Sequence, residues 1–242
     1  MKKNLSLLLL LMIMISFQSY CQVKLSSLPS AKATIFLDFD GQTVAGTAWN
    51  SNGPIYCAPS GMTDDQITEI FNRVAEDNLP FNVDITTDST VFLAAPLTQR
   101  VRIIVTPTND WYQGVGGVAF TGSFIWGNDT PVFVFSNMLN YDPKMVAENC
   151  SHESGHTVGL SHQSTYNGSC TLLATYNEGV GTGQTSWAPV MGNSYYRNLS
   201  GWNNGPTPSG CSDDQDNLSI ITSRNGFTYR TDDYSDDPSV NP

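Results

Sequence analysis

His152–His162 reads HESGHTVGLSH and contains all three histidines of the 242-residue chain. His152 and His156 lie four residues apart, so a helix through this stretch would place both imidazoles on one face. Gly159 follows three residues later and can adopt the left-handed backbone conformation that a sharp bend requires. After such a bend, His162 can return to the same point. The spacing therefore predicts a metal site formed by three histidine nitrogens.

Glu153 directly follows the first histidine, where its carboxylate can reach a metal-bound water without binding the metal itself. Three neutral histidines leave one coordination position open, which is typical of catalytic zinc and not of structural zinc. Zinc lowers the pKa of its water to about 7 and polarises a carbonyl group. The stretch thus predicts one catalytic Zn²⁺ ion with Glu153 as general base.

HESGHTVGLSH resembles the zinc-binding signature of the metzincin metalloendopeptidases. That clan has a methionine-containing tight turn downstream of the third histidine, and Met191 in WAPVMGNSYY has a suitable position. The resemblance implies that His152, His156 and His162 bind zinc, that Glu153 is the general base, and that Met191 forms a hydrophobic floor. LDFDG, RVAEDNLPFNVDITT, WAPVMG and DDQDNLSII also resemble a group of secreted bacterial metzincin-like (reprolysin-like) proteins.

The stretch after Met191 departs from the better-known metzincins. Astacins and serralysins have a tyrosine two residues after the methionine, where this chain has Asn193. Tyr195 and Tyr196 follow, and either could donate a hydrogen bond to a developing oxyanion or simply pack. Gln163, after the third histidine, matches no well-known subfamily, so the sequence does not assign one.

The order of predicted elements favours an α+β fold with an α/β-like upper lobe. Thr63 and Gln66 form a capping box for a helix over 63–78, and Asp142 with Pro143 opens a second helix that ends near Gly159. The alternation of Ile35, Leu37 and Phe39 predicts a strand with one buried face. Strands are predicted over residues 33–40, 81–87, 101–107 and 131–137, with an irregular edge strand over 116–127.

The metzincin resemblance implies a twisted five-stranded mixed sheet with an antiparallel edge strand, two long helices, and an irregular C-terminal lobe ending in a helix. Ser212 and Gln215 predict a capping box for that last helix. The predicted catalytic domain covers residues 22–230, with an upper lobe over about 31–160 and a lower lobe over about 161–230. Residues 231–242 are acidic and predict a tail or linker.

Residues 1–21 predict a secretory signal peptide, because two lysines precede nine apolar residues and small residues stand at 19 and 21. Cleavage after Cys21 is favoured over a lipid anchor on that cysteine, since Tyr20 occupies the place of the small residue that lipoproteins need. No later segment is apolar enough to span a bilayer. The sequence therefore predicts an extracellular protein, with the periplasm or cell surface as alternatives.

The remaining cysteines, Cys57, Cys150, Cys170 and Cys211, suggest two disulfides in an oxidising compartment. The pairs 57–150 and 170–211 would place one bridge in each lobe. The other two connectivities and four buried free thiols are the alternatives.

Structural Ca²⁺ is a weaker prediction from the acidic residues. Asp38 and Asp40 could bind calcium, but solvated or hydrogen-bonded carboxylates are the commoner case. Acids near the start of the last helix are better explained by capping, and those of the tail by a solvated linker. These two groups are Asp213, Asp214 and Asp216, and Asp232, Asp233, Asp236 and Asp237.

The net charge of −11 argues against a nucleic-acid partner. By the resemblance, an extended protein or peptide substrate would pair with the edge strand around Val118–Trp126 of a monomeric enzyme, placing one carbonyl against the zinc. The alternative function is a secreted, zinc-containing binding or adhesion module without peptidase activity.

Overall fold

The structure is a computed structural model that describes residues 23–231. The predicted signal peptide and the four tail aspartates lie outside the described residues. No helix in the described range is long and apolar enough to cross a membrane.

The chain up to residue 157 supplies the main sheet and its covering helices. In chain order, the elements are β1 (Ala33–Asp38), β2 (Gln42–Val44), β3 (Ile55–Cys57), α1 (Asp64–Asp77), β4 (Val83–Thr86), α2 (Ser89–Ala94), β5 (Arg100–Thr106), β6 (Gly117–Val118), β7 (Val132–Phe135) and α3 (Pro143–Thr157). The rest of the described chain forms short elements, namely β8 (Thr165–Tyr166), β9 (Leu172–Ala174), β10 (Trp187–Pro189), β11 (Leu199–Gly201), β12 (Asn204–Thr207), β13 (Gly210–Asp216) and α4 (Asn217–Arg224).

A five-stranded mixed sheet organises the fold, with the strand order β4-β1-β5-β7-β6. The first four strands are parallel, and β6 pairs antiparallel with β7 at the edge. The predicted α+β class, five-stranded mixed sheet and antiparallel edge strand are therefore confirmed.

Both faces of the sheet are covered. Helices α1 and α3 pack on one face, where residues such as Leu37, Ile103 and Val134 join the main core. A smaller core on the other face contains Ile104 and Phe133 beneath the β2–β3 hairpin. Helix α2 covers this other face at β1, where Phe36 stacks on Phe92. The predicted strand is present as Ala33–Asp38, but all six of its residues are buried and not only one face, as expected for a parallel strand covered on both sides.

The two long helices begin where their caps predict. Thr63 and Gln66 form both hydrogen bonds of the capping box at α1. The Asp142 side chain accepts a hydrogen bond from the Met145 backbone N–H at 3.0 Å, with Pro143 as the first residue of α3. These ends are specified locally and need no tertiary information.

The glycine-rich stretch 116–127 is not a continuous strand. Only Gly117–Val118 pairs with β7, and Ser123–Ile125 forms a 3-10 helix after Gly122, whose φ is 76°. Trp126, the predicted end of the substrate-binding edge, therefore lies outside the strand. The left-handed glycine turns the chain away from the sheet, which a side chain would resist.

The predicted capping box of the last helix is also wrong, because Ser212 and Gln215 belong to β13. Asp216 caps α4 instead, accepting a hydrogen bond from the Ser219 backbone N–H at 3.1 Å. Asp213 accepts a hydrogen bond from the Thr207 hydroxyl. The C-terminal lobe ends in helix α4, as predicted, and its long loops contain three short two-stranded ladders, which pair β8 with β9, β10 with β11, and β12 with β13.

One of the two predicted disulfides is present. Cys170 and Cys211 are bonded and tie the loop between β8 and β9 to β13. Cys57 and Cys150 are buried free thiols, so the predicted 57–150 bridge is wrong. Cys57 belongs to the small core beneath the hairpin and Cys150 to the helix-covered core, and the sheet separates them.

Asp38 binds an arginine in the structure. Its Oδ2 accepts a hydrogen bond from Arg102 Nη1 at 3.0 Å, while Asp40 is exposed. Burial, followed by Asp40, raises the pKa of Asp38 to about 7. Neither residue belongs to a group of three potential metal ligands within the described chain, so the calcium prediction gains no support.

Asp77 joins the end of α1 to α3 and β11. Its carboxylate accepts hydrogen bonds from the hydroxyls of Ser151 at 2.6 Å and Ser200 at 3.2 Å. Its backbone carbonyl accepts one from the Trp202 indole N–H at 2.6 Å. Burial raises the pKa of this carboxyl group to about 6. The Asp77 carboxyl group therefore binds its proton more tightly in the folded protein than in the unfolded chain.

We expect Asp77 to stabilise the fold fully at acidic pH and to lose that contribution as the pH rises through about 6. Asp77→Asn stays neutral throughout. We therefore compare the free energy of unfolding of the variant with that of wild type. As the pH rises from 4 to 7.5, this difference should shift in favour of the variant by on the order of 2 kcal/mol. Urea unfolding at several pH values measures this difference. The exposed Asp110→Asn is the control and should show no such trend; an equal trend in both variants would refute the assignment.

Candidate metal centre

Helix α3 carries the first two histidines and Glu153. His152 and His156 lie one turn apart, and their ring centroids are 4.9 Å apart. The helix ends at Thr157, after which Gly159 adopts a left-handed φ of 102°. A Cβ at this position would meet only ordinary contacts, so the backbone conformation, and not lack of space, calls for glycine here.

The bend returns His162 to the first two rings. The ring centroid of His162 lies 4.8 Å from that of His156 and 5.2 Å from that of His152. One ligand atom from each of the three residues lies within 4.8 Å of the others. The Nε2 atoms of His156 and His162 are 3.1 Å apart, close to the ~3.3 Å expected for two nitrogens bound to tetrahedral zinc at about 2.0–2.1 Å.

Backbone carbonyls fix the tautomers of two histidines. His152 Nδ1 lies 2.8 Å from the Val190 carbonyl oxygen, and His156 Nδ1 lies 2.7 Å from the Leu160 carbonyl oxygen. A carbonyl oxygen only accepts hydrogen bonds, so each Nδ1 must carry the proton. Each Nε2 is thereby left with a free lone pair, as a metal ligand requires.

Burial favours the neutral form of all three rings. It lowers the pKa of His152 to about 3, with the neighbouring histidines as the next cause, and lowers that of His162 to about 4. Burial also lowers the pKa of His156. The cluster therefore presents three neutral nitrogen donors at neutral pH, a donor set that suits zinc and other borderline transition metals.

Met191 lies in a tight turn against α3. The Gly192 N–H donates to the Pro189 carbonyl at 2.9 Å, and Met191 is fully buried. A Cβ on Gly155 would collide with the Met191 sulfur, so glycine at 155 permits this close approach. The turn also contacts the two chain segments that carry the histidines. The Val190 carbonyl accepts a hydrogen bond from His152, and the Met191 carbonyl accepts one from the Gln163 N–H at 2.8 Å.

Glu153 lies beside the edge strand, 6% exposed. Burial raises its pKa to about 8; a divalent cation nearby would oppose that shift. A Cβ on Gly117 would lie 2.7 Å from Glu153 Cγ. The glycine of β6 therefore makes room for the carboxylate.

The three histidines and Glu153 line a cavity of about 390 Å³ between the 114–119 segment and the 190–195 segment. Tyr195 also lines it, and the Asn149 side-chain amide donates a hydrogen bond to its hydroxyl. Tyr196 is 78% exposed and is not among the lining residues. Of the two predicted tyrosines, the structure thus brings only Tyr195 to the cavity.

Tyr176 is a cavity residue that the sequence reasoning missed. Its ring centroid lies 4.4 Å from that of His162. Burial, followed by the charge of Glu153, raises the pKa of its hydroxyl. The stretch around it shows no periodicity, and no local signal in the sequence places it near the histidines.

Gln215 is a second missed residue. Its Oε1 accepts from the Ser161 N–H at 2.8 Å, and its Nε2 donates to the Ser161 carbonyl at 2.9 Å. The Gln163 side chain donates to the Gln215 carbonyl at 3.2 Å. Strand β13 thereby holds the Ser161 backbone and the Gln163 side chain, on either side of His162.

In comparisons with known proteins, no family profile matches this chain, and no curated protein is significantly similar to it.

We expect Gln215→Ala to weaken zinc binding by about 10-fold, because removing an interaction that orients a ligand typically costs 10–100-fold in metal affinity. Competition with a chromophoric chelator measures the affinity. Gln42→Ala, on the distant β2–β3 hairpin, is the control and should bind zinc like wild type. An unchanged zinc affinity in Gln215→Ala would show that the hydrogen bonds between Gln215 and Ser161 do not position His162.

Proposed function

We propose that the protein is a secreted zinc-dependent endopeptidase of the metzincin type. The observation that carries this proposal is the convergence of three neutral imidazoles next to a nearly buried, cavity-lining carboxylate. A purely structural zinc site needs no carboxylate beside it and is usually closed by a fourth protein ligand. Within the described chain, no fourth His, Cys, Asp or Glu joins the cluster.

His152, His156 and His162 would hold the ion through their Nε2 atoms. When bound, Zn²⁺ would lower the pKa of a water molecule and polarise a peptide carbonyl. The fixed tautomers of His152 and His156 keep those lone pairs directed at the metal. Zinc is favoured over calcium or magnesium because the donors are nitrogens and not oxygens.

Strand β6 offers a binding edge for the substrate. It is the outermost strand of the sheet and is only two residues long. An extended peptide would add to it antiparallel through backbone hydrogen bonds. The wall formed by residues 190–195 limits the cleft on the other side. The peptide bond beside Glu153 would be the one that is cut.

Glu153 would act first as base and then as acid. It accepts a proton from the attacking water while the water oxygen bonds to the carbonyl carbon, and the π electron pair moves onto the carbonyl oxygen. When that pair re-forms the carbonyl, the C–N bond breaks and Glu153 passes the proton to the leaving nitrogen. Close packing against Gly117 holds the carboxylate in place for both steps.

Export is part of this proposal. It is supported by the N-terminal signal-like sequence and by the Cys170–Cys211 bridge, since disulfides persist in oxidising compartments.

Glu153→Gln tests the proposal. We expect it to bind one zinc ion with wild-type affinity and to lose about 10³-fold in kcat, because general base catalysis typically contributes 10²–10⁴-fold. Cleavage of a mixed peptide library, followed by mass spectrometry, measures activity with and without a chelator. The exposed Glu178→Gln is the matched control. A zinc-loaded wild type that cleaves nothing would contradict the proposal and favour a binding module.

A further inference from the structure

Tyr176 stands against two of the three histidines. Its ring centroid is 4.4 Å from that of His162, at an interplanar angle of 42°, and 6.1 Å from that of His152. The residue is 45% exposed and lines the same cavity as Glu153. A phenol in this position is accessible to any group bound next to the histidines.

The backbone on both sides of Tyr176 is fixed. The Thr175 carbonyl accepts from the Ser164 hydroxyl at 2.8 Å. The Asn177 N–H donates to the Gln163 carbonyl at 2.7 Å, and the Asn177 carbonyl accepts from the Asn193 N–H at 2.9 Å. Tyr176 is therefore tied both to the segment that follows His162 and to the segment that follows Met191.

Gly192 makes the contact between Asn177 and the segment after Met191 possible. A Cβ on Gly192 would collide with the Asn177 carbonyl oxygen. The chain that carries Tyr176 can therefore lie directly against the turn after Met191. The ring is positioned by the same backbone that positions the metal ligands.

Three tyrosines line the cavity, namely Tyr112, Tyr176 and Tyr195. Among the described residues, the Tyr112 ring packs against Trp49 and Trp111 and not against a histidine. The other two differ in their hydrogen bonding. The Tyr195 hydroxyl accepts from Asn149, on the turn of α3 before His152. Within residues 23–231, the Tyr176 hydroxyl makes no hydrogen bond. Its O–H is thus available to a bound substrate. No ring contact joins Tyr195 to a histidine among the described residues, whereas Tyr176 contacts two.

We propose that Tyr176 is a catalytic residue whose hydroxyl donates a hydrogen bond to the oxyanion that forms on the attacked peptide carbonyl. This inference rests on the proposed peptidase function. As the carbonyl π pair moves onto oxygen, the phenol O–H stabilises the charge and keeps its own proton. A donor placed where charge develops lowers the barrier without tightening ground-state binding.

The test compares Tyr176→Phe, which keeps the ring against His162, with Tyr176→Leu, which removes ring and hydroxyl. We expect the Phe variant to lose about 100-fold in kcat with little change in KM, as loss of one oxyanion donor costs about 10²–10³-fold. Tyr195→Phe should lose less, and the exposed Tyr56→Phe should match wild type.

Two further measurements do not depend on turnover. A phosphinic analogue of the best-cleaved peptide mimics the tetrahedral intermediate, and Tyr176→Phe should bind it about 100-fold more weakly. Zinc affinity, measured by chelator competition, should equal that of wild type. A loss of zinc affinity in the Phe variant would instead assign Tyr176 to the metal site and overturn the proposal.

The outcomes separate the two levels of inference. If Glu153→Gln abolishes cleavage while Tyr176→Phe keeps wild-type kcat and analogue affinity, the inference on Tyr176 is wrong and the proposed function stands. If the Leu variant alone is impaired, the ring matters and the hydroxyl does not, which also overturns it. If zinc-loaded wild type neither cleaves peptides nor binds the analogue, the proposed peptidase function and the proposed role of Tyr176 are both wrong.

Discussion

Three imidazole rings can bind one ion only if each ring is held in the orientation that directs its nitrogen to a common point. The contacts around His152, His156 and His162 meet this constraint. The helical spacing of His152 and His156 brings their rings to one face, and the left-handed Gly159 returns His162 to it. Carbonyl oxygens of Val190 and Leu160 then hold two rings by their Nδ1 atoms. The three nitrogen donors that could hold a metal ion are thus pre-arranged by groups outside the cluster.

The short elements after residue 162 hold the third histidine of the cluster in place. Gln215 of β13 brackets Ser161, Gln163 contacts the turn at Met191, and Asn177 links that turn to the chain that carries Tyr176. The Cys170–Cys211 bridge joins the β8–β9 region to the same strand. Although these strands are too short to be stable alone, together they give the segment around His162 a rigid backing. The cavity wall opposite the sheet edge follows from the same contacts.

Features encoded by neighbouring residues could be predicted from the sequence. The caps at Thr63 and Asp142 lie next to the helices they begin, and the histidine spacing lies within three turns of chain. Contacts between distant segments could not, because nothing in the local sequence of Tyr176 or Gln215 indicates its spatial neighbour. The incorrect 57–150 disulfide has the same origin, since it depended on knowing which face of the sheet each cysteine joins. The irregular edge strand over 116–127 was predicted with the wrong length, since only Gly117–Val118 pairs with the sheet and a 3-10 helix follows the left-handed Gly122.

X-ray absorption spectroscopy of the purified, zinc-reconstituted protein measures how many imidazoles bind the ion. We predict one tightly bound zinc ion per chain, with three imidazole nitrogens at about 2.0–2.1 Å and one oxygen ligand completing a tetrahedral shell. The oxygen ligand should persist in Glu153→Gln, because that residue does not bind the metal. A protein that binds no zinc, or a shell with fewer than three imidazoles, would show that the three histidines do not form a zinc site.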